Sequence, residues 1–216
     1  YHHLDVWEHT LLALEMFEAK PMPETLQSYT TAIQEYLREP LLYDKRRRTI
    51  IKFALLLHDV AKPFTKTISP RGNVRFIRHE KVGAEMAVEI ANRLHFGGKV
   101  AKLMGCLVRN HLYMMHFVNS WPPTRRSMTR FLRNTGEDWL GVLLLSYADM
   151  RASRGKLRQP DDERKTEDVM KQIADRYYQE IRPMMTRGRL ITGHDIMQAF
   201  DLKPGVKIGR ILKHIE

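Results

Sequence analysis

Six side chains suited to a hard cation lie on the apolar stripes of this sequence: His9, His58, Asp59, His79, His111 and Asp149. His58 and Asp59 stand side by side at the end of the oily run "LLLHDV". They are about 100° apart around a helix axis, so both can reach one point beside it. His79 opens a stripe through Val82, Met86 and Ile90. His111 continues Met104 and Leu107, and Asp149 continues Val142 and Leu145. His9 lies in the first amphipathic stretch, one turn after Asp5, a spacing at which a carboxylate can accept the second imidazole N–H. Burying an ionisable group is costly unless something pairs with it. A lone histidine on an apolar face is usually a satisfied core residue, but six such positions on five helices point to one shared divalent-metal site. Imidazole and carboxylate donors without sulfur suit one or two ions of Mn, Fe, Ni, Co, Mg or Zn.

The elements that must position these residues are helical, and the fold class is all-α. Apolar residues at Leu4, Trp7, Leu11 and Leu14 predict a first helix, which Pro21 and Pro23 end. "ETLQSYTTAIQEYL" predicts a second, stopping before Pro40. "RRTIIKFALLLHDVA" is apolar nearly all round and predicts a central buried helix ended by Pro63. "TKTISPRGNVRFI" breaks the pattern with β-branched residues around a turn, as a short hairpin or ordered loop would. Helices are expected over 78–95, 99–113 and 137–153, with a short basic one in "TRRSMTRFLRN". A polar linker, "KLRQPDDER", then precedes a long helix and a small C-terminal unit. The expected organisation is a domain over 1–155 and a helical extension over 156–216.

At this point the residues resemble a family. The order "WEHT", "LLHDVAKP", "RHEKVGAE", "RNHL", "YADM" is similar to that of the HD-domain metal-dependent phosphohydrolases. Their defining pattern of a His, a His-Asp pair and a distant Asp falls on His9, His58, Asp59 and Asp149. Bimetallic members add two histidines, and His79 and His111 stand at those places. The resemblance implies that His9, His58, Asp59 and Asp149 hold one ion, and that Asp59 bridges to a second completed by His79 and His111. It also implies phosphoester hydrolysis with Asp59 and Lys62 as catalytic residues, Lys62 meeting a substrate phosphate from one turn beyond His58. Arg75, Arg78 and Arg109 are further phosphate candidates. More narrowly, "YHHLDVWEHTL" and "DLKPGVKIGRILKHIE" resemble the C-terminal HD region of bacterial tRNA nucleotidyltransferase and poly(A) polymerase-like proteins. A nucleotidyltransferase head precedes this region in those proteins. No motif of that head is present in the sequence, so nucleotide addition by this chain is not expected.

The net charge of +11 suits a polyanionic substrate or partner. Arg126, Arg130 and Arg133 share one face of the basic helix, and Lys203, Lys207, Arg210 and Lys213 crowd the last segment. Such clusters suit contacts to an RNA backbone, which carry affinity rather than sequence reading. The resemblance makes tRNA the expected RNA. No run approaches the ~18 apolar residues of a membrane span, and no signal pattern is present, so no membrane is expected. The one cysteine, Cys106, excludes a disulfide framework, reads as a core residue and fits a cytoplasmic protein. His95, His116, His194 and His214 have no matching partners. The expected function is a divalent-metal phosphohydrolase acting on nucleotides, 2′,3′-cyclic nucleotides or RNA ends. The alternative is a non-catalytic RNA-binding module of a larger nucleotidyltransferase.

Overall fold

Asp5 starts the fold by accepting a hydrogen bond from the backbone N–H of Glu8 at 2.8 Å, which caps α1 (Val6–Ala19). That bond commits Asp5 as the helix start, whereas its spacing from His9 suited a carboxylate partner for that imidazole. The structure, a computed structural model, describes residues 5–43, 45–153, 161–186 and 192–215. His2 and His3 lie outside them, as do most of the expected linker and the side chain of Lys213.

A 3₁₀ turn (Glu24–Tyr29) leads into α2 (Thr30–Arg38), and the short strands β1 (Pro40–Leu42) and β2 (Lys45–Arg46) pair antiparallel. Arg47 then opens α3 (Arg47–Leu57) from a buried position. Its guanidinium donates to Glu39 at 2.6 Å and to Asp138 at 2.6 Å, and lies 4.3 Å from the centre of the Tyr36 ring. A cation at a helix start opposes the helix dipole, and the two carboxylates offset that. The network fixes the near end of α3, so its far end, at His58 and Asp59, has a defined place. α4 (Lys62–Thr65) follows one turn later, with Pro63 in its first turn, where a missing N–H does no harm. The predicted hairpin is β3 (Lys66–Ile68) against β4 (Val74–Phe76), with Thr67 opposite Arg75.

The helices expected next are α5 (His79–Arg93), α6 (Gly97–Asn110), α8 (Arg125–Thr135) and α9 (Trp139–Ala152). Between α6 and α8 lies α7 (Tyr113–Asn119), which the sequence pattern does not predict, since the helix expected over 99–113 stops at its first residue. α5 and α6 approach closely because Gly105 carries no side chain: a Cβ there would lie 2.7 Å from Val88 Cγ2. The most enclosed helix is α9, buried from Trp139 through Asp149, whereas α3 keeps Lys52, Phe53, Leu56 and Leu57 partly exposed. The central place expected for α3 thus belongs to α9. Periodicity could not separate them, because both runs are apolar almost all round.

The chain divides into two compact units, Tyr1–Ala174 and Asp175–Glu216. The first therefore extends past residue 155 to include nearly all of α10 (Asp162–Asp175), whose Val169, Met170 and Ile173 are buried. The second unit holds a π-helical segment (Arg176–Ile181), α11 (Arg182–Thr186), α12 (Gly193–Phe200) and α13 (Val206–Ile215). α12 starts in a capping box between Thr192 and Asp195. Helices dominate throughout and the two sheets are two-stranded, so the class is all-α. Among the described residues, no helix is long and apolar enough to cross a membrane.

Candidate metal centre

Each of the six predicted ligands comes from a helix or a helix end. His9 is on α1, His58 and Asp59 lie at the end of α3, His79 begins α5, His111 follows α6, and Asp149 is near the end of α9. All six are buried, and their side chains converge.

The last carbonyls of a helix have no partner within it. His58 and His111 use this: Nδ1 of each lies on the carbonyl three residues back, Leu55 O at 2.7 Å and Val108 O at 2.6 Å. His79, at its helix start, places Nδ1 on the carbonyl of Phe76 at the end of β4, at 2.8 Å. A carbonyl only accepts, so all three imidazoles donate Nδ1–H and turn Nε2 toward the centre. This is the usual way a protein orients a metal-binding imidazole.

The Nε2 atoms then meet in pairs. His9 Nε2 lies 3.3 Å from His58 Nε2, and His79 Nε2 lies 3.3 Å from His111 Nε2. Asp59 stands between the pairs. Its Oδ2 is 3.2 Å from His58 Nε2 and 3.8 Å from His9 Nε2, while its Oδ1 is 3.3 Å from His79 Nε2 and 3.9 Å from His111 Nε2. Asp149 Oδ1 completes the first group, 2.9 Å from His9 Nε2 and 3.6 Å from His58 Nε2. Two three-residue clusters able to hold a metal ion result, His9–His58–Asp59 and Asp59–His79–His111, sharing one carboxylate. The residues fit a divalent cation on their chemistry. In the His79–His111 pair both Nδ1–H groups are committed to carbonyls, so the facing Nε2 atoms need positive charge between them, which a proton or a cation supplies.

The electrostatics point the same way. Burial alone would push His58 down, but the carboxylates of Asp59 and Asp149 hold it well above its ordinary value. Burial likewise opposes the rise at His79, where contact with Asp59 prevails. His111 is lowered to about 4 by burial and by the charge of His58. Burial would raise both carboxyls, yet His58, His79 and Lys62 hold Asp59 far below the usual carboxylate range, and His58 and His9 do the same for Asp149. The centre is built to keep two anions charged and to attract cations.

Lys62 is buried, with Nζ 2.5 Å from Asp59 Oδ2 and 5.6 Å from the centre of the Phe76 ring. It therefore reaches the site, with its ammonium on the carboxylate common to the two clusters. The centre opens into a cavity of about 820 Å³ that Lys62 and Arg75 also line. Arg78 and Arg109 do not line it: Arg78 precedes α5 in a left-handed conformation, and Arg109 lines a neighbouring cleft. Residues the sequence reading missed form the rest of the wall, among them Phe76, Met115, Val118, Asn119 and Met150. Their types are ordinary core types, and only the spacing of Met114, Phe117 and Val118 could have revealed α7. Burial pushes the Cys106 thiol up to about 11, as suits a half-buried structural residue. His95, His116, His194 and His214 are exposed. So are Arg126, Arg130 and Arg133 on α8, and Lys207 and Arg210 in the second unit.

A family model described as HD domain matches residues 2–178. The chain is 28% identical to the CC-adding tRNA nucleotidyltransferase of Thermus thermophilus over 98% of its own length and 40% of that protein. It is 26% identical to the A-adding tRNA nucleotidyltransferase of Deinococcus radiodurans over 99% of its length and 42% of that protein. It is also 30% identical, over 54% of its length and 11% of the relative, to a bifunctional uridylyltransferase/uridylyl-removing enzyme of Zymomonas mobilis. The chain thus spans about two fifths of the nucleotidyltransferases it matches.

Proposed function

Because the chain belongs to the HD domain family, we propose that the six converging residues hold two divalent ions and that the protein is a phosphohydrolase acting on nucleotides, 2′,3′-cyclic nucleotides or RNA ends. The observation that carries this reading is the pair of facing Nε2 couples on either side of Asp59. A divalent cation bound there would draw charge from a phosphoryl oxygen and make a water nucleophilic near neutral pH. The chain's own residues supply the rest. Asp59 faces both clusters at once, so it holds their spacing. Three imidazoles are locked by backbone carbonyls and present their lone pairs without rearranging. Lys62 brings a buried ammonium to the mouth of the site, where a substrate phosphate can exchange for its contact with Asp59. Arg75, on the same cavity wall, is a second phosphate ligand.

The setting proposed is cytoplasmic, the RNA is tRNA-like, and the natural protein carries a nucleotidyltransferase head. Arg126, Arg130, Arg133, Lys207 and Arg210 are its RNA-backbone contacts. The similarity to two tRNA nucleotidyltransferases along nearly the whole chain, past the residues of the metal centre, favours a second reading: an RNA-holding module in which the centre does not turn over. The test is hydrolysis of a 2′,3′-cyclic nucleotide and of a generic phosphodiester with Mn, Ni, Co or Mg, wild type beside Asp59→Ala. Metal-dependent turnover that Asp59→Ala abolishes while RNA affinity persists supports the enzyme. No turnover with any metal, in protein that still binds RNA, leaves the module.

A further inference from the structure

Beside the metal cavity lies a second cleft of about 470 Å³, lined by Lys81, Arg109, Asn110, Leu112, Tyr113 and Asn134 together with Glu80 and His116. Leu112 lines both, and its chain neighbours are the metal-centre residue His111 on one side and Tyr113 on the other. The cleft therefore begins where the metal cavity ends. Lys81 and Arg109 are exposed, and neither is in an ion pair among the described residues. The one carboxylate in the cleft, Glu80, has its Oε2 3.9 Å from His79 Nδ1, the ring nitrogen turned away from the metal centre.

Tyr113 is held firmly. Its ring packs edge-on against Phe131 at 5.0 Å and beside Phe117 at 6.1 Å, and its hydroxyl accepts from Asn134 Nδ2 at 2.9 Å. Asn134 belongs to α8, four residues after Arg130, and so lies on the stripe of exposed arginines that includes Arg126 and Arg133. A fixed aromatic ring, two uncommitted cations, amide groups and a basic helix thus follow one another outward from the metal centre. Stacking surface and backbone-tracking charge in sequence are what a single strand of nucleic acid needs.

We propose that this cleft is a second nucleotide subsite: it holds the residue next to the end of an RNA strand whose terminal phosphate is at the metal centre. Lys81 and Arg109 bind the linking phosphate, Tyr113 stacks the base, and the strand continues over Arg130 and Arg126. The inference rests on the phosphohydrolase reading and selects, among its substrates, strand ends over free nucleotides.

The test compares a 2′,3′-cyclic mononucleotide with a five-nucleotide RNA ending in the same cyclic phosphate, in wild type and the double variant Lys81→Ala/Arg109→Ala. The ratio of kcat/KM for the pentamer to that for the mononucleotide should fall about tenfold, mainly through KM, on the scale of a lost charge-assisted phosphate contact. A second measurement follows binding of the labelled pentamer by anisotropy across salt concentrations. The variant should bind about tenfold more weakly, and the slope of log affinity against log salt should shrink by about 0.7, the contribution of one neutralised single-strand phosphate. An unchanged ratio, or unchanged binding and slope, overturns the subsite. Absence of turnover on both substrates in wild type removes the enzymatic reading instead, and the binding measurement alone then decides the cleft.

Discussion

At the residue scale, the centre depends on where each imidazole spends its Nδ1–H. His58, His79 and His111 all give it to a backbone carbonyl, so no rotation is needed before Nε2 can bind. The two clusters share only Asp59, and so they can be separated by mutation. His79→Ala removes a ligand from one cluster alone. Protein loaded with Mn and desalted should then carry about one ion per chain where wild type carries about two, on bimetallic logic. Native mass spectrometry reads this directly, and two retained ions would place His79 outside the ligand set. Asp59→Ala should reach further. Losing several kcal/mol of charge stabilisation corresponds to a drop in turnover on the order of 10³-fold or more. The six converging side chains were legible in the sequence because a polar group on an apolar stripe is anomalous until it is explained. Arg78 and Arg109 show the limit: basic surface residues carry no such anomaly, and nothing in their spacing tells which cavity they line.

At the scale of elements, the second cluster depends on how closely α5 and α6 approach, since His79 begins one and His111 follows the other. Gly105 sets that approach, with Val88 Cγ2 2.7 Å from where a Cβ would be. Valine is stiff at χ1 and cannot swing aside cheaply. Gly105→Val should therefore cost about 1–3 kcal/mol in chemical denaturation, the usual range for overpacking. It should also weaken binding of the ion at His79 and His111 more than of the other, as seen in a two-site calorimetric titration. Equal weakening of both sites would mean that the helix pair does not set the spacing. The helices themselves were readable from caps, prolines and apolar spacing, and so was the hairpin from its Pro-Arg-Gly-Asn turn. α7 was not, because it is only seven residues long and follows α6 after His111 and Leu112, with neither glycine nor proline to mark its start. The relative burial of α3 and α9 was equally hidden, since it is decided by the helices that cover them.

At the scale of the whole first unit, Asp59 at the end of α3 faces histidines from α1, α5 and α6, and Asp149 of α9 closes on His9 and His58, so metal binding there would be linked to folding. A ligand that binds only the folded state stabilises it by about 2.7 kcal/mol at a hundredfold excess over Kd. Chelation should accordingly lower the melting temperature, by several degrees for a unit of this size. The effect should grow with pH, and the sign follows from the histidines. His58 and His79 have raised values in the folded protein. In metal-free protein their protonation contributes stability that is full below about pH 6.5, the unfolded value, and is lost as pH rises through the folded values. Bound metal takes the place of those protons, because the ligand imidazoles must be deprotonated to bind it. The gap in melting temperature between metal-loaded and chelated protein should therefore widen from pH 6 to pH 8. Thermal scans of the two forms across that range check it. A gap that is constant or narrows on raising pH would show that the ion does not replace protons at His58 and His79, and so does not bind between the facing imidazoles.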